Sequence, residues 1–203
     1  MFPFDVILFD VGGVLLTNGW DHRERALTAE YFHLDLAELE ARHPVPYTAW
    51  ESGAIPLKAY LDAVVFYQPR NFSQDDFYGF MLNQSKLLPD GALRIVEELA
   101  ASHQCMLGAL NNEARETNEF RFESFGLRPY FSVALSSCYL GLRKPDPAMY
   151  QRALDILGRP AERILFIDDR VENVAAAEGK GIQAIWFEGA EALRSRLVSI
   201  GVL

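Results

Sequence analysis

Residues 4–16 read Phe-Asp-Val-Ile-Leu-Phe-Asp-Val-Gly-Gly-Val-Leu-Leu, and this stretch decides the fold. Beyond Asp5 the chain is apolar as far as Asp10, as expected for a parallel strand that is buried on both faces. Gly12 and Gly13 follow immediately. A buried strand that ends at an acid and a glycine pair is typical of a functional strand-to-loop junction in an α/β sheet.

Strand-like and helix-like segments alternate after the Pro-Asp-Gly sequence at residues 89–91. Asp146 and Pro147 have the chemistry of a helix N-cap and a first helical position. Short apolar runs predict four further strands, at residues 105–110, 131–135, 163–167 and 183–187. This alternation predicts an α/β fold, a doubly wound parallel sheet with a Rossmann-like core.

Residues 16–88 differ from the rest of the chain, because they contain helical patches and no convincing strand. Apolar spacing predicts helices at residues 20–33 and 57–67. A capping-box sequence, Ser73 followed by Asp76, predicts the start of a third helix. We therefore predict a small helical cap at 16–88, inserted into an α/β core made of 1–15 and 89–203.

Aromatic residues are concentrated in this insert, among them Trp20, Trp50, Tyr60, Phe66 and Tyr67. They could line a pocket beneath the cap. In a small helical unit, however, large aromatic side chains more often form the hydrophobic core. We expect the second arrangement.

The bulk composition excludes several kinds of partner. The 203 residues carry a formal net charge of −9, which disfavours nucleic acids and anionic membranes because both require a basic surface. Cys105 and Cys138 are too few for a disulfide framework, so we expect reduced thiols and a cytoplasmic protein. The start of the chain lacks the features of a signal peptide, and no apolar run is long enough to cross a membrane.

Polar residues follow the predicted strands at the points where they end: Asp10, Asn111 with Asn112, Asp168 with Asp169, and, in a loop between strands, Lys144. The carboxyl ends of parallel strands share one edge of the sheet, so these groups should meet. Carboxylates in close contact repel one another unless a cation lies between them. Mg²⁺, with its preference for oxygen ligands, waters and phosphate, fits such a site. Taken singly, each cluster could also be a simple turn or helix cap.

Four motifs carry a resemblance to a known family. Phe-Asp10-Val-Gly-Gly-Val-Leu, Leu-Asn111-Asn, Gly-Leu-Arg-Lys144-Pro-Asp-Pro and Phe-Ile-Asp168-Asp169-Arg resemble the four ordered motifs of haloacid dehalogenase-like hydrolases. The insert after the first motif is similar to the helical cap of one subgroup. The resemblance covers essentially the whole chain.

The resemblance implies a Mg²⁺-dependent phosphatase of small phosphorylated metabolites. In the family pattern Asp10 attacks phosphorus and forms an aspartyl-phosphate intermediate. Asp10, the Gly12 carbonyl and Asp169 would bind Mg²⁺, with Asp168 binding it indirectly. Lys144 would neutralise the nucleophile and bind the phosphoryl oxygens.

The same resemblance assigns phosphate binding to Asn111 and Asn112, and places Asn173 where its amide would orient an acidic ligand. This chain departs from the pattern at Gly12, where the family usually has a second aspartate that acts as general acid and base. We therefore expect slow turnover of alkyl phosphates, because loss of such a group costs about 10²–10⁴-fold in rate. Asn111 stands where the family usually has a serine or threonine.

Three alternatives remain at this stage. A phosphomutase is the least favoured of them, because such enzymes depend on the second aspartate that is missing at position 12. A catalytically silent member that binds a ligand or partner is favoured by Gly12 and disfavoured by Asp10, Lys144 and Asp169. Carbon–halogen hydrolysis is disfavoured by the acidic pair Asp168-Asp169, because dehalogenases of the superfamily act without a metal.

Overall fold

A computed structural model describes residues 2–203. Its five strands are β1 (Val6–Phe9), β2 (Met106–Asn111), β3 (Val133–Ser136), β4 (Ile164–Asp168) and β5 (Gln183–Trp186). All pair in parallel in the order β3-β2-β1-β4-β5. This arrangement confirms the predicted doubly wound α/β fold.

The first strand lies at the centre of the sheet, with β2 on one side and β4 on the other. All four of its residues are buried, which is why the sequence there is continuously apolar. Phe9 is in register with Ala109 on β2 and with Ile167 on β4. The residues just beyond Phe9 therefore emerge between the ends of two neighbouring strands.

Eleven α-helices belong to the described chain: α1 (His22–Tyr31), α2 (Leu36–Arg42), α3 (Pro44–Glu51), α4 (Leu57–Val64), α5 (Gln74–Leu82), α6 (Leu93–Ser102), α7 (Arg115–Ser124), α8 (Ser137–Leu140), α9 (Pro147–Leu157), α10 (Val171–Glu178) and α11 (Ala190–Ser199). Two separate apolar clusters contact the sheet. One includes Ile7 and residues of α6 and α11, and the other includes Leu8 and residues of α9 and α10. Because Ile7 and Leu8 point to opposite faces, the core has helices on both sides of the sheet.

The segment between β1 and α6 contains α1–α5 and contributes no strand to the sheet in the described chain. It has an apolar cluster of its own. The two chain segments that lead into and out of it run side by side, since Thr17 N donates to Lys86 O at 2.8 Å and Leu88 N donates to Leu15 O at 3.1 Å. The exact boundaries at 15/16 and 88/89 stay predictions.

Aromatic side chains form the centre of this helical unit. Trp20, Trp50, Tyr60 and Phe77 are all buried, and the rings of Trp50 and Tyr60 stack with centroids 4.7 Å apart. This burial favours the core interpretation over a purely aromatic substrate pocket. Each such ring removes a large apolar area from water, which stabilises a unit of only five short helices.

Element boundaries differ from the sequence predictions by a few residues. The first strand begins at Val6 rather than at Phe4, and Asp5 just before it bonds through its backbone to Arg163 and Met106 and through its carboxylate to Arg163 at 2.6 Å. The predicted capping box of Ser73 and Asp76 is present at the start of α5. Helices α3 and α11 were not anticipated from the sequence. In α3, Pro44 occupies the first helical position, which proline tolerates because the N–H of that residue has no partner within the helix.

No helix within residues 2–203 combines the length and apolar character needed to cross a membrane.

His43 makes the stability of this helical unit dependent on pH. Its Nδ1 lies 2.9 Å from the hydroxyl of Tyr60, which also accepts a hydrogen bond from the Trp20 indole. A neutral His43 can accept the Tyr60 proton, whereas a protonated one cannot. Burial lowers the pKa of His43 to about 4.

We expect the contribution of His43 to the free energy of unfolding to decrease as pH falls from about 6.5, the usual histidine pKa, to about 4. The unfolded chain takes up a proton in this window and the folded chain does not. His43→Asn retains an acceptor for Tyr60 but does not titrate. The free energy of unfolding of the variant, minus that of the wild type, should therefore increase as pH falls toward 4. Urea denaturation at several pH values measures this difference, and a constant difference would contradict the argument.

Candidate active site

The polar groups predicted at the strand ends meet at one edge of the sheet. Asp10 directly follows β1, Asn111 ends β2, and Asp168 ends β4. Asp10 is anchored to the neighbouring strand, because its backbone N–H donates to Ile167 O at 2.8 Å. Since β1 lies between β2 and β4, the three strand ends are adjacent, which is the usual position of a ligand site in an open parallel sheet.

Three carboxylates form a compact cluster at this edge. Asp10, Asp168 and Asp169 each offer an oxygen, and these atoms lie within 4.8 Å of one another. Asp169 Oδ1 is buried and has no hydrogen-bond partner within residues 2–203. Gly13, with φ of 74°, packs against the Asp169 carboxylate so closely that a Cβ there would clash with it. An orphaned carboxylate oxygen beside two others is the donor set that a hard divalent cation such as Mg²⁺ requires.

Lys144 lies in the centre of this acidic cluster. Its Nζ is 3.0 Å from Asp10 Oδ1 and 2.6 Å from Asp168 Oδ2. The side chain is buried, and burial by itself lowers the pKa of the ammonium group. The attraction of Asp10 and Asp168 outweighs this effect, so the pKa of Lys144 is raised and the lysine stays charged.

Asp168 is held by several donors. Asn173 Nδ2 lies 2.9 and 3.0 Å from its two carboxylate oxygens, and the backbone N–H of Arg170 donates at 2.8 Å. The N-cap of α10 is Arg170 and has no side-chain cap, so Asp169 does not act as a helix cap. These contacts argue against a simple turn at the acidic pair. Because these donors occupy Asp168, Asp169 is the more available of the two to bind a metal ion directly.

Burial dominates the electrostatics of Asp10. Its carboxylate accepts a hydrogen bond from Val11 N at 2.8 Å, and Lys144 lowers its pKa. Burial and the neighbouring Asp168 outweigh these effects and raise the pKa of Asp10 to about 7. A dication at this point would favour the charged carboxylate, because opposite charge within a few ångströms lowers the pKa of an acid.

The two asparagines at the end of β2 have different surroundings. Asn111 is buried, donates from Nδ2 to Asn118 at 2.9 Å and accepts from Ser136 Oγ at 2.8 Å. Asn112 instead pairs with the backbone of Lys144, donating to its carbonyl and accepting from its N–H, both at 2.8 Å. Asn112 thus positions the lysine. Phosphate binding by either asparagine stays a prediction.

The helical unit covers this edge and closes a polar cavity of about 280 Å³. Its walls come from the ends of the sheet strands and from the insert, so distant parts of the chain build one chamber. The sequence did not indicate the following lining residues: Asn18, Arg25, Tyr47, Glu51, Arg121, Arg143 and Arg170. No sequence pattern connects them, because their common position depends on how the insert docks.

The insert docks through specific polar contacts. Glu51 at the end of α3 forms an ion pair with Arg143, and its backbone carbonyl accepts a hydrogen bond from Ser137 Oγ at 2.7 Å. Trp50 Nε1 donates to Glu116 Oε2 on α7 at 3.0 Å. These contacts hold the insert in a closed position over Asp10.

A buried ion pair forms another part of the chamber wall. Arg121 NH1 lies 2.5 Å from Glu113 Oε2, and both side chains are at most 5 % exposed. A second guanidinium nitrogen of Arg121 donates to the Thr17 carbonyl. Burial raises the pKa of Glu113, although Arg121 opposes this shift.

Comparison with known proteins agrees with this geometry. The sequence model of the family described as haloacid dehalogenase-like hydrolase matches residues 4–181. The chain belongs to this family of hydrolases. The match includes the strand ends, the lysine segment and the helical insert, and it confirms the resemblance carried by the four motifs.

Relatives of this haloacid dehalogenase-like protein include phosphatases. Flavin mononucleotide hydrolase 1 of Arabidopsis thaliana is 28 % identical over 97 % of this chain and 78 % of its own length. Phosphoglycolate phosphatase of Aquifex aeolicus is 25 % identical over 89 % of this chain and 84 % of its own length. Among solved structures, a HAD family enzyme from Bacteroides thetaiotaomicron in a magnesium complex superposes with a TM-score of 0.80, at 18 % identity, over 96 % of this chain and 98 % of its own.

Gly12 occupies the position where family members usually have a general acid and base. Its φ lies outside the left-handed region, in contrast to Gly13. A Cβ at Gly12 would lie 3.3 Å from Asn18 Oδ1 and 3.7 Å from Arg121 NH1. The backbone therefore does not require glycine here, and a side chain would fit after a small shift of Asn18.

Mg²⁺ should stabilise the folded protein through Asp169. A ligand that binds only the folded state raises its stability by an amount that grows with concentration, by about 2.7 kcal/mol at 100 times Kd. We expect millimolar Mg²⁺ to raise the melting temperature of the wild type and to leave that of Asp169→Asn unchanged. Asp155→Asn, which changes an exposed acid on α9, is the matched control and should respond as the wild type does. Equal shifts in all three proteins would place the metal elsewhere.

Proposed function

We propose that this protein is a Mg²⁺-dependent phosphatase of small phosphorylated metabolites that acts through an aspartyl-phosphate on Asp10. One observation carries the proposal: the Asp10 carboxylate lines a small polar cavity beneath the helical unit, 3.0 Å from a buried lysine and beside two further carboxylates. A nucleophile, a fixed cation and an acidic metal site in contact with one another are the elements of phosphoryl transfer to a carboxylate.

The relatives support the same reaction class. Two of them are named as hydrolases of phosphate monoesters, and the related Bacteroides enzyme was crystallised with magnesium. The acidic pair and the unpaired oxygen of Asp169 also favour metal-dependent phosphoryl transfer over carbon–halogen hydrolysis.

In the proposed first step, an Asp10 oxygen attacks phosphorus and the phosphorus–oxygen bond to the leaving group breaks. Mg²⁺, held by Asp10, the Gly12 carbonyl and Asp169, would neutralise charge on the phosphoryl oxygens. Lys144, whose Nζ lies 3.0 Å from Asp10 Oδ1, would bind phosphoryl oxygens as well. Its position is fixed by Asn112 and Asp168, so little reorganisation is needed as charge develops.

In the second step, water attacks the phosphorus of the aspartyl-phosphate, and the bond to Asp10 breaks. Inorganic phosphate leaves and the carboxylate is restored. Asp168 does not react in this scheme. It holds Lys144 at 2.6 Å and is itself held by Asn173, so the cation keeps its place in both steps.

The chamber sets the class of substrate. A volume of about 280 Å³ accommodates a phosphate group together with a leaving group of modest size, such as a sugar. Its lining is rich in arginine, carboxylate and amide groups, which suits a polar leaving group. The net charge of −9 and the closed cap disfavour nucleic acid as a substrate.

The Asp10→Asn substitution should abolish phosphatase activity while preserving the fold. The amide is nearly isosteric but is a poor nucleophile and carries no charge for the metal. The measurement is phosphate release from a panel of sugar phosphates and from 4-nitrophenyl phosphate, with Mg²⁺ and with a chelator.

The expected results are turnover by the wild type with Mg²⁺, loss of turnover on chelation and loss in Asp10→Asn. Turnover that survives the substitution or the chelator would require another mechanism. A wild type that binds Mg²⁺ and phosphate but releases no product from any substrate would identify the protein as a catalytically silent family member.

A further inference from the structure

Gly12 leaves the proposed reaction without an evident proton donor. As the phosphorus–oxygen bond breaks, an alkoxide leaving group must gain a proton, and in the second step the attacking water must lose one. Neither Lys144 nor a metal ion supplies this exchange. A further side chain of the chamber, or an ordered water, has to do so if alkyl phosphates are substrates.

The space above Gly12 is occupied by an ionisable pair from the core. Arg121 NH1 lies 3.7 Å from the point where a Cβ of residue 12 would be, and Glu113 Oε2 lies 2.5 Å from the same nitrogen. Glu113 also faces Gly19, seven residues after Gly12 along the chain, since a Cβ on Gly19 would lie 2.8 Å from Glu113 Oε2. Its carboxylate is thus joined through Arg121 to the gap that the missing aspartate would fill, and Glu113, Gly12 and Asp10 line the same cavity.

The other ionisable groups of the chamber are less suited to this exchange. Asp21 caps α1 by accepting from Glu24 N at 2.9 Å. His22 is largely exposed and pairs with Glu40. Burial raises the pKa of Tyr47 well above its ordinary value, so its phenol cannot readily release a proton.

Glu51 is the remaining carboxylate of the chamber. It lies at the junction of the insert with the core, bonded to Arg143. Glu113, in contrast, lies just two residues after the end of β2, on the sheet edge that carries Asp10. Glu113 thus combines burial, proximity to Gly12 and a place on the rigid core.

We propose that Glu113 is the general acid and base of this enzyme, held in place by Arg121, and that it replaces the aspartate absent at Gly12. This inference rests on the proposed phosphatase function. In the first step, the protonated Glu113 gives its proton to the leaving oxygen as the bond to phosphorus breaks. In the second, the Glu113 carboxylate takes a proton from the attacking water, which restores the starting form.

Two further features agree with this role. Burial raises the pKa of Glu113, which favours the protonated form that the first step requires. Arg121 stabilises the carboxylate left after proton transfer and is itself fixed by the Thr17 carbonyl. Arg121 is accordingly a positioning residue.

The test compares leaving groups. The wild type should hydrolyse ethyl phosphate and 4-nitrophenyl phosphate with a shallow dependence of rate on leaving-group acidity, contrary to the expectation from Gly12 alone. Glu113→Gln should lower turnover of ethyl phosphate by about 10²-fold or more, in line with the loss of an acid–base group. Turnover of 4-nitrophenyl phosphate should fall at least tenfold less, because its leaving group needs no proton.

Two further variants separate catalysis from structure. In Gly12→Asp combined with Glu113→Gln, the new carboxylate would lie beside Arg121 and take over both charge pairing and proton exchange. We expect ethyl phosphate turnover to recover at least tenfold relative to Glu113→Gln. Glu51→Gln removes another buried carboxylate of the same chamber that pairs with an arginine, and it should leave the ratio of the two rates as in the wild type.

Equal losses on both substrates, or no loss on either, would overturn the role of Glu113. If Glu113→Gln does not fold because Arg121 is left unpaired, the same comparison is made with Glu113→Gln and Arg121→Gln together. A steep leaving-group dependence in the wild type would by itself overturn the proposal. If hydrolysis of 4-nitrophenyl phosphate depends on Asp10, the phosphatase function is supported whatever the role of Glu113. The proposal for Glu113 can therefore be wrong while the proposed function is right.

Discussion

Mutual repulsion among three clustered carboxylates, two buried and one half-buried, is the constraint on which the rest of the site depends. One carboxylate oxygen from each of Asp10, Asp168 and Asp169 lies within 4.8 Å of the other two. At an effective dielectric constant of about 20, two like charges 4 Å apart repel by about 4 kcal/mol. Lys144 offsets part of this repulsion by contacting two of the three acids. The third acid, Asp169, has an oxygen left over, and this imbalance favours a divalent cation.

The sheet makes such a costly arrangement possible. Parallel strands end at a common edge, and the register of β1 with β4 places Asp10 beside the acidic pair without any special loop conformation. The core on both faces of the sheet stabilises these strands through ordinary apolar burial. Stability gained in the core thus offsets the electrostatic cost at the edge. Asp10 and Lys144 are buried beneath the helical unit, and this burial strengthens the charge interaction between them.

The parts of this site that the sequence predicted are those that follow directly from strand ends. Asp10, Lys144 and the acidic pair lie in short motifs whose chemistry is visible locally, and they meet because parallel strands align. The sequence did not predict that Asn112 would hold the Lys144 backbone. Asn112 follows a predicted strand, but its hydrogen-bond partner, Lys144, lies 32 residues further along the chain.

The chamber wall was harder still to predict, because it consists of pairs such as Glu51 with Arg143 that join the insert to the core. Their separation of 92 residues carries no periodic signal. From the sequence, Glu113 and His22 are equal candidates for supplying the proton that Gly12 lacks, and only the structure shows Glu113 paired with Arg121 against Gly19. Strand limits also escaped the sequence pattern, since Asp5 bonds to Arg163 yet lies just outside β1.

The side-by-side path of the two segments that connect the insert to the core has an evolutionary consequence. Thr17 bonds to Lys86, and Leu88 bonds to Leu15, so the core itself holds the two ends of the insertion together. The entropy of closing a long loop grows only slowly with its length, by about 0.6 kcal/mol for each doubling. With the ends already joined, helical units of very different size could replace one another at this point while the sheet and its acidic edge remain unchanged. The same catalytic sheet edge can in this way be covered by different inserts, and so act on different substrates, while the folding of the core stays largely undisturbed.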